Sequence, residues 1–186
     1  MTLKEMKIKV LAMIEELNTN SPLLTDDPDI ATKINGVINQ VLFELARIKK
    51  IPKYIELEVH EGDMIDFTDM EKECGYEIFQ VSLFGGVENE AKANNTLFKI
   101  RESGTAEIDV FVYPERITEK TKDNYEFELS ADALEIMPYG VAGDLLKSDV
   151  STEYGTVYST RYESMKQMLD PRYAMPMITI EGGAVI

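Results

Sequence analysis

The sequence predicts an α+β protein. Helical hairpins at the two ends of the chain would form a four-helix core, with an antiparallel β-module inserted between helices two and three and an extended C-terminal tail. Three observations predict this fold. Apolar residues recur at helical spacing before residue 52 and after residue 130. Between these segments apolar and polar residues alternate, as in strands with one wet face. The end of the chain is again apolar and follows a polar stretch that contains proline.

Four segments describe the predicted organisation along the chain. Residues 1–52 form an N-terminal helical hairpin, and residues 53–129 form the inserted antiparallel β-module. Residues 130–170 form the C-terminal helices that complete the helical core, and residues 171–186 form an extended C-terminal arm. A single core of this kind suits a chain of 186 residues.

Capping signals mark the predicted N-terminal helices. Thr2 is followed three residues later by Glu5, which is the pattern of a capping box. Asp27 is a good N-cap, and Pro28 suits the first helical position. Pro52 would end the second helix. Because a connection of about ten residues joins the two helices, we expect an antiparallel hairpin.

About five or six half-buried strands are predicted between residues 54 and 129. Since no helix is predicted among them, we expect antiparallel pairing. Gly85 and Gly86 are typical of a hairpin turn between two of these strands. The alternating apolar residues are Ile55, Leu57, Val59, Phe79, Val81, Leu83, Phe98, Ile100, Ile108, Val110, Val112, Tyr125, Phe127 and Leu129.

The C-terminal helices carry a stripe of tyrosines. Pro138 is predicted to kink or restart the first of these helices. In the second, Tyr154, Tyr158 and Tyr162 recur every four residues and therefore share a face. Such a stripe suits either core packing or a protein interface, where tyrosine is enriched. We therefore regard the three tyrosines as candidate subunit-interface residues.

Composition excludes several classes of protein. There are 34 acidic and 19 basic residues, for a net charge of −15, which argues against wrapping around nucleic acid. The single cysteine excludes a disulfide framework and a cysteine-rich zinc site. No segment reaches the roughly 18 apolar residues that span a bilayer. We expect no signal peptide or membrane anchor, and a soluble protein made in a reducing cytoplasm.

The residues that could carry chemistry are few. His60 and Cys74 are the only possible Cys-His pair, and Cys74 is predicted in an acidic loop that would raise the pKa of its thiol. Asp63, Asp66 and Asp69 could bind a metal, but an acidic loop is the simpler interpretation. We therefore predict no catalytic residue, no cofactor and no metal, and a structural or adaptor role instead of an enzyme.

Carboxylates also pair along two predicted strands. Glu56 and Glu58 share one strand face, and so do Glu126 and Glu128. Paired carboxylates can do acid–base work. In a strand whose other face is apolar, however, they usually form the solvated side. We interpret both pairs as solvated surface.

The C-terminal arm is the second candidate binding feature. An apolar end would be a liability in a monomer, so it should either pair with the protein's own sheet or add a strand to a neighbour. We favour the intermolecular arrangement. The predicted partner-binding residues of the arm are Met175, Met177, Ile178, Ile180, Val185 and Ile186.

A resemblance to a known family follows from the order of several segments between residues 108 and 170. Tyr113-Pro114-Glu115 comes first, then the segment 125–129, the run Leu134-Glu135-Ile136-Met137-Pro138-Tyr139-Gly140-Val141-Ala142, and finally the spaced tyrosines. This order resembles the head–tail connector proteins (adaptor or neck proteins) of tailed bacteriophages and prophages.

The resemblance implies a structural virion protein. Such proteins form a ring, typically of about twelve copies, docked on the portal. The ring extends the DNA channel and links the capsid to the neck or tail. The implied partners are the portal protein, a neck or tail-completion protein and other copies of the chain. Genome DNA passes through the lumen without sequence-specific binding, and no membrane is involved. The implied location is the head–tail interface of a virion assembled in the host cytoplasm, with the C-terminal arm reaching the portal.

Two alternatives from other classes stay open. One is a small metal-dependent hydrolase that uses Asp63, Asp66 and neighbouring acids. The other is a phage-encoded regulatory protein that binds a host partner.

Overall fold

The computed structural model describes residues 1–147 and 153–169. Its helices are α1 (Leu3–Met13), α2 (Pro28–Ile48), α3 (Phe67–Cys74), α4 (Ala131–Leu146) and α5 (Tyr154–Gln167). Its strands are β1 (Ile51–Val59), β2 (Met64–Asp66), β3 (Ile78–Gly85), β4 (Asn89–Lys92), β5 (Leu97–Ile100) and β6 (Gly104–Val112). The described residues form two compact units. One contains Met1–Ile51 and the residues from 113 to 169, and the other contains Pro52–Val112.

Helices dominate the first unit. Helix α4 packs against α1, α2 and α5, and most of its residues from Ala133 to Ala142 are buried. Its apolar neighbours are typical core residues of amphipathic helices. The buried cluster includes Leu3, Met6, Val10 and Leu11 of α1, Ile34, Ile38, Val41, Leu42 and Leu45 of α2, and Tyr162 of α5.

The predicted caps of α1 and α2 are confirmed. The Thr2 hydroxyl accepts a hydrogen bond from the Glu5 amide at 3.2 Å, and the Glu5 carboxylate accepts one from the Thr2 amide at 2.8 Å. Asp27 accepts from the amides of Asp29 and Ile30, with Pro28 at the first helical position. Pro52 does not end α2, because the helix stops at Ile48. Pro52 instead lies in β1, an edge strand, where a missing amide is tolerated.

Two three-stranded sheets make up most of the second unit. One has the strand order β1-β6-β3 and the other β2-β5-β4. Strand β3 pairs antiparallel with β6, with Val81 opposite Val110 and Leu83 opposite Asp109. Phe84 of the first sheet stacks on Phe98 of the second, with ring centroids 4.4 Å apart. Helix α3 contacts β2 and β3 and buries Met70.

The predicted fold is wrong in its arrangement of helices. The described residues form five helices and two antiparallel sheets, a mixed α+β fold, and the third helix, α3, lies among the strands. A four-helix core with one β-module between helices two and three does not fit this order. Asp66 and Asp69 are the reason for this error, because acids at such spacing are also typical of a polar loop. They are a reciprocal capping box that starts α3.

Three local predictions are also corrected. Residues 125–129 form no strand, and Glu126 makes only an isolated bridge to Thr2, because this segment packs beside the start of α1. Gly85 and Gly86 do not form a hairpin turn, since β3 and β4 belong to different sheets. Helix α4 continues through the buried Pro138 instead of restarting there.

Candidate functional site

Helix α5 is the element that positions the predicted interface tyrosines. All three tyrosines lie on this helix, as the four-residue spacing predicts. The other predicted binding residues, Met175, Met177, Ile178, Ile180, Val185 and Ile186, lie outside the described residues. The described part of the candidate site is therefore α5 and the helices beneath it.

Glycines bring α5 close to α4. A Cβ atom at Gly143 would lie 3.0 Å from the backbone nitrogen of Ser159, and one at Gly140 would lie 2.9 Å from a ring carbon of Tyr162. On α5, a Cβ atom at Gly155 would lie 3.1 Å from the Cβ of Leu146. These separations are shorter than ordinary van der Waals contacts, so the two helices pack this closely only because glycine occupies these positions.

Two of the three tyrosines face the interior of the first unit. The Tyr158 hydroxyl donates a hydrogen bond to the carbonyl oxygen of Met13 at 2.7 Å. Tyr162 is buried, and its hydroxyl donates to Glu44 of α2 at 2.9 Å. Burial raises the pKa of Tyr162, and the negative charge of Glu44 raises it further. These two side chains hold α5 in place within the unit.

A network of charged side chains lies beside the hydrogen bond between Tyr162 and Glu44. The Lys166 ammonium lies 2.6 Å from Glu44 and 2.6 Å from Glu163. Burial alone would lower the pKa of Lys166, but its hydrogen bonds with the two carboxylates raise that pKa overall. Lys166 also lies 5.0 Å above the ring of Tyr162. Lys166 therefore remains charged and ties the C-terminal half of α5 to α2.

The opposite side of α5 is open. Tyr154, Val157 and Met168 are 64%, 57% and 78% exposed. At 3.6 residues per turn they share one arc of the helix with Arg161 and Ser164. We call these five residues the outer stripe. Among the described residues, a shallow groove of about 680 Å³ along α5 is lined by Thr156, Val157, Thr160, Arg161, Ser164 and Met165.

The carboxylates of the candidate metal-binding residues accept hydrogen bonds from backbone amides. Asp63 accepts a hydrogen bond from the His60 amide at 2.8 Å, while Asp66 and Asp69 cap α3. Cys74 is the last residue of α3 and does not lie in a loop. Within residues 1–147 and 153–169, no group of three His, Cys, Asp or Glu side chains could hold a metal ion.

The outer stripe was not predicted as a surface. The tyrosine spacing identified the helix but not the side that faces the core, because Tyr158 and Tyr162 depend on Met13 and Glu44, which are distant in sequence. Gly140, Gly143 and Gly155 carried the missing signal. These three helix-interior glycines lie where the faces of α4 and α5 meet, whereas Gly36 inside α2 has no such close contact.

None of the described helices has both the length and the apolar composition that crossing a bilayer requires. Comparison with known proteins found no matching family model and no matching curated relative.

Proposed function

We propose that this chain is a structural protein of a tailed-phage particle, a head–tail connector or adaptor. It forms a ring docked on the portal, extends the DNA channel and links the capsid to the neck or tail. The observation that carries the proposal is the outer stripe of α5, considered together with the resemblance of residues 108–170 to such proteins.

The outer stripe suits a contact between subunits. The inner side of helix α5 carries Tyr158 and Tyr162, whereas Tyr154, Val157 and Met168 are mostly exposed and lie outside that contact. Aromatic residues and methionine are enriched in protein interfaces. In a closed ring each subunit offers one patch to the subunit before it and a different patch to the subunit after it. The outer stripe is one such patch.

The charge of the chain suits a DNA channel. A net charge of −15 disfavours binding of DNA phosphates, because that binding depends on an excess of lysine and arginine. A lumen lined with carboxylates repels the phosphates, so DNA slides through without adhering. The chain is therefore suited to surround DNA without gripping it.

The C-terminal arm supplies the contact with the portal in this proposal. Its apolar residues Met177, Ile178 and Ile180 alternate with Thr179, as in a segment that adds to the sheet of another protein. Ordering such a segment on binding costs conformational entropy, which the backbone hydrogen bonds and apolar anchors offset.

A pull-down tests the proposal. The tagged full-length chain is incubated with a lysate of cells that produce the particle encoded beside it, and its partners are identified by mass spectrometry. We expect the portal protein or a neck protein. Recovery of host proteins alone would contradict the connector and favour a regulatory binding protein.

Calorimetric titration with Mg²⁺, Mn²⁺ or Ca²⁺ tests the alternative of a metal-dependent hydrolase. Stoichiometric metal binding at about micromolar affinity would favour that alternative.

A further inference from the structure

One face of a sheet in the second unit is exposed and carries both acidic and apolar side chains. In β1, Ile55 and Val59 are buried while Tyr54, Glu56 and Glu58 are exposed. In β6, Ala106, Ile108 and Val110 are buried while Thr105 and Glu107 are exposed. Along this stretch the sheet β1-β6-β3 therefore buries one face and leaves the other in solvent, as the period of a strand requires, and the exposed face ends at Phe111, which is buried.

Side-chain contacts show that the exposed groups share one face. The Thr105 hydroxyl donates to Glu58 across the two neighbouring strands at 2.6 Å. The Tyr54 hydroxyl donates to Glu56 at 3.2 Å, and Leu83 is directly opposite Asp109. Partial desolvation and the Glu56 hydrogen bond raise the pKa of Tyr54, and the charges of Glu107 and Asp109 add to this increase.

The apolar part of this face is exposed as well. Tyr54 is 56% exposed and Leu83 is 49% exposed, on the two strands that flank β6. Four carboxylates, those of Glu56, Glu58, Glu107 and Asp109, lie on the same face, with Glu56, Glu107 and Asp109 near Tyr54 and Asp109 opposite Leu83. We call these six residues the acidic sheet face. None of its carboxylates forms an ion pair with a lysine or arginine in the part of the chain that the structure describes.

We propose that the acidic sheet face binds a cationic amphipathic segment of another protein, one in which lysines or arginines flank apolar side chains. The charge and the apolar groups of the face both select this occupant. Cationic side chains meet the carboxylates, their aliphatic stems cover Leu83, and a cation stacks on the ring of Tyr54. An apolar side chain of the segment covers what remains exposed between Tyr54 and Leu83.

Other occupants fit the face less well. Nucleic acid and anionic lipid would bring phosphates against four carboxylates. Among residues 1–147 and 153–169, no group of three His, Cys, Asp or Glu side chains is placed to hold a calcium ion. A second copy of this chain offers Arg47 to Lys50 as its longest basic run. In that run Lys49 is buried against Asp132, and Arg47 donates to the Tyr113 hydroxyl.

The face belongs to the second unit, whereas the outer stripe belongs to the first. The inference therefore goes beyond the proposed function and does not depend on a ring or a portal. Its test uses the full chain alone, so the inference can fail while the connector stands, and the reverse also holds.

Synthetic peptides of about ten residues serve as probes, titrated into the ¹⁵N-labelled full chain at about 0.15 M salt. One alternates lysine with leucine, the second alternates lysine with serine, and the third alternates glutamate with leucine. We expect the lysine–leucine peptide to shift amide resonances of β1, β6 and Leu83, and to bind about tenfold more tightly than the lysine–serine peptide. The glutamate–leucine peptide should not bind.

Two variants that each lose three carboxylates distinguish binding at the acidic sheet face from attraction to the net charge of the chain. The triple variant E56Q/E107Q/D109N should weaken binding of the lysine–leucine peptide about tenfold. The control E73Q/E88Q/E102Q removes three exposed carboxylates elsewhere in the unit, and it should weaken binding less than about twofold. Leu83→Ser should weaken binding of the lysine–leucine peptide but not of the lysine–serine peptide.

Three results would overturn the proposal. They are absence of lysine–leucine binding, equal binding of the two lysine peptides, or equal weakening by the two triple variants. The second and third would mean that the peptide follows only the overall negative charge. Thermal unfolding of each variant, matched to that of the wild type, excludes a loss of folding as the cause.

Discussion

Gly143 controls how closely α5 approaches α4. It lies in the buried part of α4, opposite the backbone of Ser159, where any Cβ atom would be within 3.0 Å of a main-chain nitrogen. Main-chain atoms cannot rotate away as the end of a flexible side chain can. A substitution at this residue must therefore displace α5 as a whole, with the inner contacts of Tyr158 and Tyr162.

The variant Gly143→Ala tests this packing. We expect the free energy of unfolding to fall by about 1–3 kcal/mol, because the added methyl group overpacks the contact between the helices. Urea denaturation measures the change. The matched control is Gly36→Ala on α2, where nothing lies within 4 Å of the added Cβ. The control should gain about 0.5–1 kcal/mol from helix propensity alone. Equal stabilities of the two variants would contradict the close packing.

Asp132 gives the first unit a dependence on pH. Its carboxylate lies 2.6 Å from the Lys49 ammonium, whose side chain is only 10% exposed. The hydrogen bond from Lys49 lowers the pKa of Asp132 from 3.8 to about 2. Because this pKa is depressed in the folded state, the stabilisation is fully present above pH 3.8 and is lost as the pH falls toward 2.

The variant Asp132→Asn should remove this dependence. At neutral pH we expect a loss of about 1 kcal/mol, a modest value because the Asp132 carboxylate is half exposed. The difference from the wild type should shrink between about pH 4 and pH 2. Chemical denaturation at several pH values measures it. Glu135→Gln, an exposed acid on the same helix, is the control for charge. A loss that stays constant down to pH 2 would show that the ion pair is not its source.

Local residue signals could be predicted from the sequence, and long-range partners could not. The caps formed by Thr2 with Glu5 and by Asp27 depend on residues within three positions, so the order of residue types is sufficient. The Tyr162 partner Glu44 is 118 positions away in the chain. The sequence gives no register for such a pair, which explains why the tyrosine stripe was found but not the direction it faces.

At the scale of elements, helices with a long apolar stripe were predictable and the short helix was not. Helix α2 has a long stripe and a marked start. Helix α3 has eight residues and buries only Met70, so its pattern is too short to distinguish from an acidic loop. Helix α5 carries apolar residues on two sides, which weakens its helical periodicity while leaving the outer stripe exposed.

The double variant Val157→Glu with Met168→Glu tests the outer stripe as a subunit contact. If copies of the chain meet through this stripe, two buried carboxylates would oppose association, and sedimentation velocity should show a shift from the ring toward the monomer. The temperature of thermal unfolding should stay the same, because the side chains of Val157 and Met168 are mostly exposed in a single copy of the chain.

A matched control supports this interpretation of the α5 variant. Leu23→Glu with Met64→Glu introduces the same charges at side chains that are 65% and 45% exposed and lie off α5. This control should associate like the wild type. Association that survives in the α5 variant, or that is lost equally in the control, would mean that the outer stripe is not the subunit contact.

At the scale of the whole molecule, the path of the chain between the sheets was the hardest feature to predict. The order β1-β6-β3 places the first and last strands of the second unit side by side, and β4 pairs with β5 in a separate sheet. Alternation predicts that strands exist but not which strands pair when the partners are far apart in sequence. The α+β class could therefore be predicted, while the division into two sheets and the place of α3 could not.

We expect the C-terminal arm to be needed for binding the portal but not for the stability of the fold. The described residues, 1–147 and 153–169, supply a buried core cluster in the first unit and two three-stranded sheets in the second. We therefore expect a 1–173 truncation to unfold within about 2 °C of the full chain. In the pull-down it should no longer recover the portal, because the anchors Met177, Ile178 and Ile180 are absent. A full-length variant with these three residues replaced by serine keeps the chain length and should fail in the same way. If the truncated chain binds as well as the full one, the arm is not the portal contact. The connector would then have to reach the portal through its helices or its second unit.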